Sequence, residues 1–268
     1  MASRSLWQRL LKPDAHADDG ALPKKSTVAS WPRRLGIVVL WLALVPGAYF
    51  LAAVIISAVT PPLNQLLVAL SLTLPVRQSA IMALVFLLTL AIVWAVATFC
   101  FRTRVSLRTF GLQRTMRWRD IGLGIVAYII YMAVALFLVD LVGRFVPGFQ
   151  ANQAQDLGFR DVYHTADIIV LFLLLVLVTP LVEEMLFRGV LFGKLQKYLP
   201  VGVSAVLVSA VFAALHGQWN VALDVFVLSL VLCWLRLRTH NIWAGVVVHV
   251  IKNSLAFYLM YVVQHGGG

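Results

Sequence analysis

Long apolar runs, separated by short polar segments, fill most of the chain. A helix needs about 20 residues to cross a bilayer, and a spanning segment must satisfy its own backbone hydrogen bonds, which favours helices. We interpret seven runs as spanning helices: residues 35–59, 80–101, 121–143, 167–193, 201–218, 221–235 and 242–263. The pattern therefore predicts an all-α, polytopic transmembrane helical bundle of about seven spans.

The run at residues 62–76 is apolar but short, and prolines bound it on both sides. We expect it to lie at the membrane interface or to re-enter the membrane without crossing it. The first 34 residues lack an apolar run. They are predicted to form a flexible, basic cytoplasmic tail and not a cleaved signal peptide.

The composition supports a membrane location. The chain is 61% hydrophobic and 12% charged, and a water-soluble domain of this length could not cover such a surface with polar groups. The net charge of +11 does not indicate nucleic-acid binding, because the Lys and Arg residues are concentrated in alternate loops. Seventeen lie in the amino-terminal segment and alternate connections, whereas the intervening connections hold three, Arg77, Arg144 and Arg160.

This asymmetry of charge predicts the orientation of the chain. Positively charged loops stay in the cytoplasm, so we expect the amino terminus in the cytoplasm and the carboxyl terminus outside. The protein is then a multi-pass integral membrane protein, expected in a bacterial plasma membrane. Its basic surface favours contact with anionic lipid of the bilayer, and no nucleic-acid partner is expected.

Ionisable side chains inside spans cost about 2.5–3.5 kcal/mol each on insertion scales, so each one calls for an explanation. The only glutamates of the chain, Glu183 and Glu184, both lie in the fourth predicted span. At about 1.5 Å per residue, the polar groups of the fourth, fifth and seventh spans fall at similar depths near the membrane centre. The candidate site residues are Glu183, Glu184, Arg188, His216, His249 and Asn253.

The spacing of these residues suggests a hydrolytic site. Glu184 and Arg188 are four residues apart and can pair, while Glu183 points about 100° around the helix. His249 and Asn253 are also four residues apart, and their donors could hold an oxyanion in a shared cavity. A glutamate beside a histidine can deprotonate water. The set suffices to hydrolyse an amide without a serine or cysteine nucleophile.

Three short motifs carry a resemblance to a known family. They are EEMLFR (E-E-x-x-x-R), FAALH (F-x-x-x-H) and HVIKN (H-x-x-x-N), in this order along the predicted helices. Over about residues 166–260 the chain resembles the CPBP family of CAAX-processing and bacteriocin-processing intramembrane proteases, also called the Abi family. The first half resembles that family only in being helical and membrane-embedded. The resemblance implies an α-helical intramembrane endopeptidase, with protein maturation, bacteriocin processing or self-immunity as its role.

The resemblance also implies roles and a domain organisation. The implied roles are water activation for Glu183 and His216, oxyanion stabilisation for His249 and Asn253, and shaping of the site for Glu184 and Arg188. The implied organisation is a basic tail (1–34), amino-terminal membrane helices (35–165), a CPBP-like catalytic core (166–263) and a short tail (264–268).

No cofactor is expected, although two histidines and a glutamate could bind zinc. The H-E-x-x-H helix of many zinc proteases is missing, and Asn253 occupies a position at which a further metal ligand would be needed. We therefore favour a glutamate-dependent mechanism without a metal, with zinc or another divalent metal as the alternative.

Other functions could use the same groups. Carboxylates and histidines inside a membrane also form proton relays in transporters, although we find no internal repeat. A non-proteolytic immunity or binding protein would hold a membrane-associated peptide or protein in the cavity without cutting it.

The Glu184–Arg188 pair could be a purely structural link between helices. Lys252 is expected to line the cavity or to extend its ammonium group towards the membrane surface.

Overall fold

The computed structural model describes residues 31–101, 105–150 and 164–265, and within these ranges it consists of helices and their connections, with no strand. The predicted all-α bundle is thereby confirmed. The seven helices of the described ranges are α1 (Trp31–Ala69), α2 (Leu74–Cys100), α3 (Trp118–Phe145), α4 (Thr165–Leu195), α5 (Val201–Ala214), α6 (Trp219–Thr239) and α7 (Trp243–His265).

Five of the helices in the described ranges, α1 to α4 and α6, are long and apolar enough to cross a membrane. The 14 residues of α5 extend about 21 Å, less than a bilayer core of about 30 Å. The apolar part of α7, Trp243–Leu259, is also shorter than the five. Large apolar side chains such as Val54 and Phe137 are exposed on the outer helix faces. Because water does not tolerate so much apolar surface, the protein is a multi-pass membrane protein.

The short apolar run at residues 62–76 is not a separate interfacial piece, contrary to our expectation. Helix α1 continues through Pro61–Pro62 to Ala69, and a tight turn with Ser71 in the left-handed conformation (φ 58°) leads into α2. Proline fixes φ near a helical value and removes one N–H donor, a loss that membrane helices tolerate. The prolines that we interpreted as boundaries are therefore part of α1, and Pro75 lies in the first turn of α2.

Part of the predicted organisation falls outside the described residues. The predicted tail at 1–34 is described only from Trp31, where α1 begins. Arg102, Arg104 and Arg160, which contribute to the charge asymmetry, also lie outside the described ranges. The orientation of the termini and the domain boundaries therefore stay predictions.

Helix α4 is the centre of the bundle, because it packs against α1, α2, α5, α6 and α7. Every residue from Leu186 to Phe192 is buried. The apolar residues of this segment share a core with Trp41 of α1 and Phe212 of α5. Polar side chains on α4 are consequently enclosed by other helices and kept away from lipid.

The connection between α2 and α3 packs against α4 and against the start of α7. The backbone of Phe110 approaches Gly189 so closely that a Cβ there would lie 2.3 Å from the Phe110 carbonyl carbon. Gly111, with φ at 86°, accepts a hydrogen bond of 3.2 Å from the N–H of Ile242. This connection therefore ties together the two helices that carry most of the candidate site residues.

The close approach at Gly189 predicts a large effect of a small change. Gly189→Ala is expected to destabilise the protein by about 1–3 kcal/mol, because the backbone of Phe110 has to move to admit the methyl group. The matched control is Gly193→Ala in the same helix, where a Cβ meets nothing within 4 Å. Thermal unfolding in detergent should show a lower Tm for the first variant and an unchanged or higher Tm for the second. Equal Tm values would contradict the packing described here.

Candidate active site

Helix α4 changes its hydrogen-bond pattern on both sides of the two glutamates. Residues Thr179–Glu184 are α-helical, and π-helical turns flank them at Leu173–Val178 and Met185–Phe192. Such wider turns are rare and are often found at functional sites. They alter the directions of the side chains that follow, so a regular helical wheel gives only approximate positions for the groups on this helix.

Glu184 and Arg188 form an ion pair in the interior of the bundle. Their nearest atoms, Oε1 and Nη1, are 2.9 Å apart and both side chains are fully buried, although the contact lacks the alignment of a hydrogen bond. The guanidinium carbon of Arg188 lies 4.5 Å from the centre of the Phe212 ring. A Cβ at Gly245 would lie 2.8 Å from Glu184 Oε2, so only a glycine leaves room for the carboxylate.

His249 lies between the two carboxylates. Its Nε2 atom is 3.4 Å from Glu183 Oε2, and its Nδ1 atom is 3.4 Å from Glu184 Oε1. Two carboxylates and the one guanidinium of Arg188 leave a net negative charge, which a single proton on the imidazole or on Glu183 would balance. The arrangement is suited to moving one proton between Glu183 and His249.

His216 is brought to the same place by the end of α5. Its Nδ1 atom lies 2.8 Å from the Phe212 carbonyl oxygen, which can only accept a hydrogen bond, so Nδ1 carries the proton in the neutral ring. The Nε2 atom is then the basic nitrogen. The Phe212 ring packs against His216 at 4.9 Å and against His249 at 6.1 Å between ring centres.

A polar cavity of about 180 Å³, which we call the α4–α7 cavity, brings the candidate groups together. A water molecule takes up about 30 Å³ in the liquid, so the cavity has room for water and part of a peptide. Residues from α4, the α5–α6 turn, α6 and α7 line it: Leu175, Thr179, Glu183, His216, Val221, His249, Lys252, Asn253, Ala256 and Phe257. Of the six predicted site residues, Glu184 and Arg188 lie behind the cavity wall.

Asn253 is held by the first π-helical turn of α4. In a π-helical turn a backbone N–H donates to the carbonyl five residues earlier. The N–H of Thr179 donates to the carbonyl of Leu174 in this way. Pro180 has no N–H, so the carbonyl of Leu175 would lack the corresponding donor. Asn253 supplies it, because its Nδ2 atom donates to that carbonyl at 3.0 Å. This bond uses one of the two N–H donors of the amide, so the predicted role of Asn253 in holding an oxyanion would fall to the second donor.

A second cavity of about 180 Å³, which we call the α1–α2 cavity, meets the site from the other side. It shares Glu183 and His216 with the α4–α7 cavity. The rest of its lining is mostly apolar and includes Val45, Met82 and Phe86 from the first two helices. No sequence pattern predicted this cavity, because contacts between distant apolar runs leave no periodic pattern.

Metal binding has no direct support from the arrangement of the described residues. Within these ranges, no three histidine, cysteine or acidic side chains are grouped as metal ligands. Both nitrogens of His249 face carboxylates instead, an environment suited to a proton carrier. The reaction without a metal stays a prediction.

Comparisons with known proteins match the carboxyl-terminal part of the chain. Residues 165–255 match a family model described as "Type II CAAX prenyl endopeptidase Rce1-like". The chain is also 24% identical, over 138 residues, to the Bacillus subtilis (strain 168) protein named "Putative membrane peptidase YdiL". That alignment covers 50% of this chain and 56% of the relative, so the chain spans about half the length of the curated relative it matches. No solved structure matches the chain.

Proposed function

We propose, from the membership of residues 165–255 in the CPBP family, that the chain is an intramembrane endopeptidase of the glutamate-dependent type. It hydrolyses a peptide bond of a membrane-associated peptide or protein. The observation that carries the proposal is the contact between Glu183 and His249 at 3.4 Å on the wall of the α4–α7 cavity.

The reaction begins with the activation of water. Glu183 accepts a proton from a water molecule in the cavity while the water oxygen bonds to the carbonyl carbon of the substrate. His216, with Nε2 as its basic nitrogen, faces the same cavity and can orient the water. The carbonyl electrons move to oxygen and give a tetrahedral oxyanion. When the carbon–nitrogen bond breaks, the proton held by Glu183 passes to the leaving nitrogen and yields a free amine and a carboxylic acid.

The buried pair of Glu184 and Arg188 positions the imidazole that works with Glu183. Glu184 faces Nδ1 of His249, and Arg188 balances the charge of Glu184. The imidazole is therefore fixed with Nε2 towards Glu183. A structural role and a role in the reaction are compatible here, since fixing the ring is itself the contribution to catalysis.

The test of this function compares the membrane proteins of cells that make the natural chain with those of cells that make Glu183→Gln. New amino termini that appear only with the natural chain identify substrates and their cleavage sites. A transporter or a binding protein would give the same set of termini in both cells, and that result would contradict the proposal.

The mostly apolar lining of the α1–α2 cavity favours a substrate with an apolar side chain. Its volume of about 180 Å³ is similar to that of an apolar cavity of about 150 Å³ that holds benzene. A large aliphatic or aromatic side chain beside the scissile bond would fit there, while the bond itself lies between Glu183 and His216. The substrate segment is then apolar at a residue next to the cut.

Narrowing the α1–α2 cavity is expected to change the preferred substrate. Met82 lies at the edge of this cavity and is 42% exposed, so Met82→Trp can fold while reducing the space. Cleavage of peptides with Phe or Leu beside the cut should fall by about 10- to 100-fold relative to peptides with Ala. Mass spectrometry of a cleaved peptide mixture measures this ratio. Met116→Trp, at a residue 47% exposed in the α2–α3 connection, is the control, and an equal ratio in both variants would contradict the assignment.

A further inference from the structure

Tyr49 of α1 lines the α1–α2 cavity together with Glu183 and His216. It lies outside residues 165–255, which match the family model, and none of the roles assigned above uses it. Its ring packs against that of Phe86 on α2, with 5.8 Å between the ring centres, and its phenol interacts electrostatically with the Glu183 carboxylate. The first half of the chain therefore brings a hydroxyl group to the proposed site.

The hydroxyl of Tyr49 donates its proton to a weak acceptor. The Oη atom lies 3.7 Å from Sδ of Met82 on α2, and a thioether sulfur accepts hydrogen bonds poorly. A hydroxyl that is shielded from water gains free energy from a stronger partner. The bond to Met82 can therefore be exchanged at little cost when a carbonyl oxygen enters the cavity.

A count of side-chain donors shows what the cavity offers to a ligand. With the carboxylate ionised and the imidazole neutral, three of the described side chains that line it carry an N–H or O–H group: Tyr49, Thr89 and His216. The Thr89 hydroxyl donates to the carbonyl four residues earlier at 2.7 Å, and Nδ1 of His216 does the same at 2.8 Å. The proton of Tyr49 is the one that remains for a bound molecule.

A bound peptide needs such a donor. An extended segment has backbone carbonyl groups without helical partners, and within a membrane each of them has to be paired by the protein. With an apolar substrate side chain in the α1–α2 cavity and the scissile bond between Glu183 and His216, the backbone beside the cut enters the cavity that Tyr49 lines.

We propose that Tyr49 is a substrate-positioning residue, an assignment that rests on the proposed function. Its hydroxyl leaves Met82 when an extended apolar peptide binds, and it donates a hydrogen bond to the carbonyl oxygen of a peptide bond that flanks the scissile bond. Tyr49 keeps its proton, and no covalent bond forms or breaks there. The hydrogen bond holds the extended backbone while the apolar side chain fills the cavity.

Tyr49→Phe removes one oxygen atom and leaves the ring against Phe86, so the Tm of the natural chain is expected. The experiment measures steady-state cleavage of the peptide identified by the comparison of membrane proteins, by the full chain in lipid nanodiscs. KM should rise by about 3- to 10-fold, the usual effect of one neutral hydrogen bond. The change in kcat should be small, because the bond is present both before and during the reaction. Tyr258→Phe, at a tyrosine of α7 that is 61% exposed, is the matched control and should behave as the natural chain.

Two modified peptides test the contact itself. In each of them an alkene isostere replaces one of the two peptide bonds that flank the scissile bond, and so removes one carbonyl oxygen. For one of the two, KM relative to the unmodified peptide should rise several-fold with the natural chain and much less with Tyr49→Phe. If both isosteres give the same relative KM with the two proteins, the hydroxyl does not hold the backbone and the assignment is wrong.

The remaining outcomes of Tyr49→Phe are also decisive. A lower Tm with the natural KM would make Tyr49 a structural residue, and a lower kcat with the natural KM would place its hydroxyl in the reaction itself. Either result overturns the assignment and leaves the protease intact, provided that Glu183→Gln is inactive. Full cleavage by Glu183→Gln would instead remove the proposed function.

Discussion

Glu183→Gln is expected to lower kcat for peptide cleavage by about 10²- to 10⁴-fold, the usual contribution of a general base. Glutamine has nearly the same shape as glutamate but cannot accept a proton from water. KM should change little, because the apolar contacts in the α1–α2 cavity are the same in both proteins. The measurement is steady-state cleavage of one defined peptide by the purified chain in nanodiscs, followed by mass spectrometry.

The control for this change is another carboxylate-to-amide substitution on the same scaffold. Asp140 forms an exposed ion pair with Arg144 on α3, with its side chain 58% exposed. Exposed pairs contribute little to stability, so Asp140→Asn should cleave at the natural rate. If Glu183→Gln kept the natural rate as well, Glu183 would not be the base, and the water would have to be activated by another group.

Much of the fold could be predicted because the bilayer restricts the choices. A spanning segment has to be apolar, long and helical, and these properties are visible in single runs of sequence. The ends of helices are less visible, as α1 shows: its helix passes through Pro61–Pro62, which we interpreted as a break. A proline in the sequence shows that a backbone N–H is lost, but it does not show whether the surrounding helices tolerate that loss.

The candidate site was predictable where spacing along one helix determines proximity. Glu184 and Arg188 lie four residues apart and meet in the structure. The position of His249 between two carboxylates was not predictable, since it depends on how α7 packs against α4. Phe212 was missed as well, although it begins the F-x-x-x-H motif: four residues before His216, it lies on the same helical face and packs against that ring.

The role of Asn253 shows why irregular helices limit such predictions. The bond of its amide to the Leu175 carbonyl follows from Pro180 and from the π-helical turn. The proline is visible in the sequence, but the turn is not. Without the turn, the carbonyl left without a donor would be that of Val176, one residue further along the helix.

The buried ion pair of α4 predicts the largest effect on stability. Arg188→Met is expected to destabilise the protein by about 3–5 kcal/mol, because it leaves the fully buried carboxylate of Glu184 without its positive partner. Unfolding by SDS in mixed micelles, followed by circular dichroism, measures this loss. Activity should fall as well, since an unbalanced Glu184 would compete for the proton of His249.

Removing both charges of this pair is expected to restore most of the stability. In Arg188→Met/Glu184→Gln no ionised group is left unpaired by the change, and paired charges replaced together often cost little. The interaction energy obtained from the single and double variants should therefore be several kcal/mol. Activity should not recover in parallel, because glutamine cannot act as the carboxylate that faces Nδ1 of His249. A double variant as unstable as Arg188→Met would mean that the packing of Arg188 against Phe212, and not its charge, stabilises α4.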